Sequence, residues 1–312
     1  MQLEVKNIKK SFGEKQVLND VSFCSRTGSA LGLLGRNGAG KTTIIRVIMG
    51  IFPPDDGEVT IDGKRMSLSG KTFGYLPEER GLYPKQIILD QIVYIGMLRG
   101  MHRAEAAASA KQWLGRMQMS EYTYKKLNTL SKGNQQKIQL AATLVNDPDI
   151  IILDEPFSGL DPVNAQMLKD IVSELVEAGK IVIFSSHQMS YVEEFCDSIA
   201  MLGGGRIILE GNLKAIKRSY DRRKLIITPD PDDRENGIVR LGSLFSGELA
   251  SFVKSCDIMQ DTVRLKLKDA GDRNRLLTEL IRLEIPLVRF EVLEPSLEEI
   301  FVEKAGESDA AV

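Results

Sequence analysis

The chain has 312 residues, 43% of them hydrophobic and 27% charged, with a formal net charge of −2 and a pI near 5.9. That length and composition suit an ordinary soluble protein with room for two cores, and they exclude the basic field of a nucleic-acid or anionic-membrane binder. Two histidines exclude a multi-histidine metal site, and Cys24, Cys196 and Cys256 are too scattered for Cys-x-x-Cys pairs, which fits free thiols in a reducing compartment. No apolar run reaches the roughly 18–20 residues of a membrane span. The opening MQLEVKNIKK has no signal-peptide core, so a cytoplasmic location is expected, with any membrane role coming through a partner.

In chain order, Ala30–Leu34 reads as a buried strand, followed by the bare stretch LGRNGAGKTT (Leu34–Thr43) and an apolar helical run from Ile44. Phe73–Leu76, Ile150–Leu153 and Ile181–Phe184 are further apolar runs of the kind that parallel strands carry when both faces are covered. Between Gln86 and Val145 strand alternation is missing, and helices are predicted over Ile87–Leu98, Ala104–Met117 and Asn134–Val145. A helix from Asp161 to Gly179 has an N-cap, a first-turn proline and a glycine exit. Its apolar residues Leu168, Ile171, Val172, Leu175 and Val176 share a face. A strand from Ser198, a turn at Gly203–Gly205 and a strand over Arg206–Glu210 follow. Short basic runs at Lys217-Arg218 and Arg222–Lys224 read as a solvated face.

Composition changes after Ser219-Tyr220, and the acidic, proline-bearing Thr228–Gly237 reads as loop. Thr262–Lys268 alternates as a half-buried strand. Arg273–Leu283 is helical, with Leu276, Leu277, Leu280 and Ile281 on one side. Leu287–Val292 reads as a strand, and Ser296 with Glu299 makes a capping box for a last helix. The expected organisation is an α/β domain over 1–219 with a helical insertion at about 86–145. A small α+β domain follows over 220–306, and then a frayed tail over 307–312.

Gly35-x-x-x-x-Gly40-Lys41-Thr42 sits between a strand and a helix, the context a P-loop requires. Backbone amides of Gly35, Arg36, Asn37, Gly38, Ala39, Gly40, Lys41, Thr42 and Thr43 can surround phosphate oxygens, and the glycines supply room and unusual φ values. The helix start adds partial positive charge, Lys41 reaches the β- and γ-phosphates, and the Thr42 hydroxyl ligates Mg²⁺. Strand Ile150–Leu153 ends in Asp154-Glu155. In P-loop proteins an Asp there holds Mg²⁺, and a following carboxylate orients or deprotonates attacking water. Without the P-loop the pair would read equally well as helix-capping acids.

Beside GRNGAGKTT and IIILDEP stand LSKGNQQK (Leu130–Lys137), SGLD (Ser158–Asp161) and SSH (Ser185–His187). In order and spacing these resemble an ABC transporter ATP-binding subunit over about residues 1–215. The stretch Gly74–Pro84 and the small C-terminal domain resemble the sodium-efflux and drug-efflux branch. The resemblance implies a P-loop NTPase cassette with a RecA-like core and helical subdomain, ATP and Mg²⁺ as ligands, and ATP hydrolysis coupled to export. It also implies a homodimer, or a pair with a similar cassette, around two ATP molecules. A multi-span membrane permease on a separate chain completes it, with no nucleic acid. Ser131 and Gly133 would meet the partner's γ-phosphate, Asp161 would bridge the sites, His187 would touch the γ-phosphate and Phe12 would stack on adenine. Taken alone, His187 reads as a structural histidine and Phe12 as plain core.

Some positions depart from the family pattern: Lys132 for a glycine, Asn134 for a glutamine, Phe12 for a tyrosine, and Glu78 for the glutamine that touches Mg²⁺. Glu78 keeps an oxygen ligand but adds negative charge near the phosphates. The alternative is a soluble ABC ATPase acting on DNA, ribosomes or another non-membrane partner. Such chains carry coiled coils or tandem cassettes, and neither is present. A small-molecule kinase would leave LSKGNQQK and SSH without work. For the C-terminal domain a dimer-stabilising or packing module and a ligand-sensing module both stay open.

Overall fold

The computed structural model describes residues 1–65, 73–79, 81–220, 222–230 and 234–309. By contacts the chain divides into two compact units, Met1–Leu213 together with Phe301–Val312, and Lys214–Ile300. The boundary therefore falls at Leu213 rather than at residue 219. The reason is local: Leu213 is buried and its amide donates to the carbonyl of Asp197 at 2.9 Å, while the helix it starts continues into the second unit.

The first unit opens with the long strands β1 (Gln2–Phe12) and β2 (Lys15–Arg26), which pair antiparallel. Next come β3 (Ala30–Gly35), α1 (Lys41–Ile48), β4 (Asp56–Ile61), β5 (Lys64–Arg65) and β6 (Phe73–Leu76). Three helices follow, α2 (Ile88–Leu98), α3 (Arg103–Arg116) and α4 (Lys132–Leu144). The chain then alternates through β7 (Ile150–Asp154), α5 (Pro162–Glu177), β8 (Ile181–Ser186), α6 (Met189–Phe195), β9 (Ser198–Gly203) and β10 (Arg206–Asn212).

These strands make two sheets, β2-β1-β4-β5 and β10-β9-β3-β8-β7-β6. In the second sheet β9, β3, β8, β7 and β6 run parallel to one another, β10 pairs antiparallel with β9 at the edge, and every residue of β3, β7 and β8 is buried. That is why they read as unbroken apolar runs. One core cluster takes Leu3, Val5 and Ile8 from β1, Leu18, Val21 and Phe23 from β2, Ile44, Ile45 and Ile48 from α1, and Ile152 and Ile183 from the second sheet. Helix α1 is thus held on both sides by apolar packing. The α5 caps are as expected: Asp161 accepts from the Asn164 amide at 2.9 Å, and Gly179 adopts φ 77°.

The second unit holds most of α7 (Leu213–Ser219), then β11 (Lys224–Pro229), α8 (Arg234–Ser246), β12 (Val253–Ile258), β13 (Val263–Leu267), α9 (Arg273–Arg282) and β14 (Leu287–Val292). Its antiparallel sheet, β12-β13-β11-β14, shares a core with α8 and α9 built on Leu225, Ile227, Leu241, Phe245, Leu265, Leu276 and Leu280. It is the expected small α+β unit. The expected loop over Thr228–Gly237 is shorter than read: β11 runs to Pro229 and α8 already begins at Arg234, while residues 231–233 lie outside the described residues.

Helix α10 (Leu297–Asp309) starts at a reciprocal capping box. The Ser296 amide donates to Glu299 Oε2 at 2.9 Å, and the Glu299 amide donates to Ser296 Oγ at 3.1 Å. The helix continues through Gly306 to Asp309, past the point where fraying was expected, and residues 310–312 lie outside the described residues.

On α9 the burial corrects the expected face: Leu276 and Leu280 are buried, whereas Ile281 is 66% exposed. Leu280→Ala should therefore cost about 2–5 kcal/mol in urea unfolding of the second unit. Ile281→Ala should stay within about 0.5 kcal/mol.

Candidate functional site

The cradle lies between the end of β3 and the start of α1. Gly40 has φ 106°, and a Cβ there would come within 2.7 Å of Leu18 Cδ2. Gly38, at φ 82°, has open space around it, so its glycine answers to conformation alone. No side chain caps α1, which leaves its first amides and partial positive charge for a ligand. Residues Arg36–Thr43 line a cavity of about 770 Å³, with Lys15–Val17 and Leu202–Gly205 on other walls. Buried Lys41 donates from Nζ to the Gly35 carbonyl at 2.7 Å and to the Arg36 carbonyl at 3.4 Å. Burial pulls its pKa down, and the charges of Glu155, Asp154 and Glu78 oppose that shift.

Asp154 and Glu155 reach the same cavity from the end of β7. Asp154, 3% exposed, accepts from the Tyr75 hydroxyl at 3.3 Å and from the Ser185 hydroxyl. The Tyr75 pKa is pushed up to about 12 by burial and then by the Asp154 charge, so the phenol stays a protonated donor at physiological pH. Glu155, 6% exposed, sits at φ 50°, an uncommon conformation for a side-chain-bearing residue. It accepts from the Ser186 hydroxyl at 3.3 Å, from the His187 amide at 2.9 Å, and meets His187 Nδ1 at 2.8 Å. The register explains the meeting: parallel pairing sets Asp154 beside Ser185 and Leu34 beside Ser186. The carboxyl ends of β3, β8 and β7 thus converge on one crevice, the usual ligand position in such sheets.

Thr42, Glu78 and Asp154 line this cavity together and offer hard oxygen atoms. Among the described residues no group of three or more His, Cys, Asp or Glu side chains could hold a metal alone. Mg²⁺ needs no such cage, since it takes one or two carboxylates, water and substrate phosphates, so this donor set fits it.

Other expected site residues lie elsewhere. Ser131 caps α4, accepting from the Asn134 amide at 3.4 Å, and Gly133 lies beside Gly159 and Leu160. Asp161 caps α5, and its backbone and side-chain bonds from Asn164 hold its carboxyl below the usual range. None of the three lines the P-loop cavity among the described residues. Phe12 also stays outside that lining: it is 45% exposed, edge-on to Phe52 with ring centroids 5.4 Å apart. The ring that does line the cavity is Phe301 of α10, for which the sequence carried no signal. From the sequence, Tyr75 is strand and part of the Gly74–Pro84 resemblance without a place in the site, and 203–205 is a turn.

A nucleotide-binding P-loop protein is the class these features define. The family models place it further: "ABC transporter" matches residues 18–158, and "ATP-binding protein DrrA1-3-like, C-terminal domain" matches residues 211–305. An uncharacterized ABC transporter ATP-binding protein of Alkalihalophilus pseudofirmus is 42% identical over 88% of this chain and 98% of its own. The linearmycin resistance ATP-binding protein LnrL of Bacillus subtilis is 29% identical over 97% of this chain and 98% of its own. A solved ATP-binding subunit of an ABC transporter superposes with a TM-score of 0.65 and 30% identity, covering 70% of this chain and 93% of that one. The chain belongs to the ABC transporter ATP-binding proteins, a family that binds and hydrolyses ATP to power transport.

Gly40→Ala should weaken binding of a fluorescent ADP analogue by at least about tenfold, because the new Cβ meets Leu18 and the left-handed φ strains by about 1–3 kcal/mol.

Proposed function

We propose that this chain works as half of a head-to-tail pair of cassettes that closes on two ATP molecules and drives efflux through membrane subunits on separate chains. The observation that carries the reading is the division of phosphate-binding features within one chain. The P-loop, Asp154 and Glu155 share one cavity, whereas the α4 N-terminus with Ser131 and Gly133 lies outside it. A second copy presenting its α4 start would complete the anion site with another set of amides and another helix dipole. Asp161 would then lie where it can bridge the two halves.

Export as the direction of transport draws support from the DrrA-like C-terminal match and from the resistance named for LnrL. A membrane partner draws support from exposed Tyr94, Met97 and Leu98, which fall on one face of α2 at helical spacing. No described helix is long and apolar enough to cross a membrane itself, so association with the inner face would come through that partner.

In the proposed reaction Lys41 and the α1 amides hold the β- and γ-phosphates, and Ser131 of the other copy meets the γ-phosphate. Thr42, Asp154 and Glu78 would hold Mg²⁺, which supplies Lewis-acid neutralisation of phosphate charge. Glu155 orients or deprotonates the attacking water, kept in place by Ser186 and the His187 amide. With Nδ1–H given to Glu155, the His187 ring offers Nε2–H to a phosphate only when doubly protonated. Hydrolysis removes the shared γ-phosphate and lets the pair open.

Glu155→Gln should lower ATPase turnover by a factor of about 100 or more, yet leave a dimer in size-exclusion with light scattering under saturating ATP-Mg²⁺. A monomer in that variant would sink the pairing. The soluble alternative predicts instead that added nucleic acid or ribosomes, and not co-expressed membrane subunits, stimulate the ATPase.

Tyr75→Phe removes one of the hydrogen bonds that orient Asp154. The Mg²⁺ concentration giving half-maximal activity should rise by about tenfold, with no new ionisation step in the pH profile below about pH 10.

A further inference from the structure

Arg36 and Phe301 both belong to the first compact unit, and they meet at the rim of the P-loop cavity. The guanidinium carbon lies 5.6 Å from the centroid of the Phe301 ring, inside the range of a cation–π contact. Phe301 is 5% exposed and is carried by α10. Arg36 itself is exposed, and among the described residues its guanidinium has no ion pair or hydrogen bond. The ring is what holds it.

The charge balance of the cavity makes that position matter. Lys15, Arg36 and Lys41 line it on the cationic side, and Glu78, Asp154 and Glu155 on the anionic side. The carboxylates repel a phosphate chain, so each cation kept near the cradle counts. A free arginine carries about 2 kcal/mol of rotamer entropy and would spend most of its time in solvent. Pinning it in advance removes part of the ordering cost of binding.

We propose that Phe301 is a positioning residue of the nucleotide site. Its ring holds Arg36 over the phosphate cradle, so the last helix of the chain sets nucleotide affinity. The inference rests on the P-loop cavity being the nucleotide site. Phe301 does not touch the reacting atoms; it acts through Arg36.

The test is titration of the full-length chain with a fluorescent ADP analogue, together with steady-state ATPase kinetics. Phe301→Leu keeps apolar volume and loses the ring, and Arg36→Gln changes only an exposed side chain. Each should raise Kd and KM by about three- to tenfold, with kcat at saturating ATP within about twofold of the parent. The double variant should match Arg36→Gln alone, and Phe301→Tyr should bind like the parent.

Parent-like binding by Arg36→Gln would overturn the proposal even if Phe301→Leu failed to fold. So would multiplicative losses in the double variant, which would mean that the ring acts on the nucleotide directly. Parent protein that binds no better than Lys41→Ala would overturn the site assignment as well. Normal parent binding with unaltered Phe301→Leu would overturn this inference alone.

Discussion

Keeping two carboxylates, Asp154 and Glu155, in the interior at the end of β7 carries a desolvation cost that only a full set of hydrogen bonds offsets. Strand β8 supplies most of that set. Because β7 and β8 are parallel and in register, Ser185, Ser186 and His187 arrive beside Asp154 and Glu155 rather than a turn away. Tyr75 on the other neighbour, β6, completes the arrangement around Asp154. The same sheet places β3 on the far side of β8, so the cradle opens toward those carboxylates. Site chemistry here depends on strand order and register before it depends on any one loop.

That dependence explains what could be read beforehand. The P-loop, the Asp154-Glu155 strand exit and the caps at Asp161 and Ser296 are contiguous or nearly so, and each has a local physical cause. The strands β3, β7 and β8 announce themselves because burial on both faces leaves no polar alternation. Strand β1 did not announce itself. Asn7 sits at φ 50°, the register slips between Val5 and Ile8, and so the buried positions switch from odd to even within one strand. A period-two pattern interrupted by a bulge looks like no pattern. Phe301 was out of reach for another reason: its meeting with Arg36 joins distant parts of the sequence, and nothing local to either residue implies the other. Strand β12 was also silent, since it is an edge strand with several exposed residues and only partial burial.

Part of the cradle is engaged by its own chain, although the first amides of α1 are uncapped. Lys41 gives its protons to the carbonyls of Gly35 and Arg36, and the loop amide of Ala39 returns to the Arg36 carbonyl at 3.1 Å. At Lys41 a nucleotide therefore exchanges one set of bonds for another, while at the α1 start it meets amides that no side chain caps. The net gain per bond is then modest. Affinity has to come from charge, from the α1 dipole and from groups held in place beforehand.

The departures from the family pattern fit that charge accounting. Glu78 brings a negative charge where the family has a neutral amide, and Lys132 brings a positive one where it has glycine. Both line a second cavity of about 280 Å³ with Asp154 and Glu155. Separately, either change would shift the field at the buried carboxylates: Glu78 by repelling them, Lys132 by drawing them toward itself. The two added charges are of opposite sign and line the same space. The substitutions are intelligible as a pair, because each added charge meets one of opposite sign lining the same cavity.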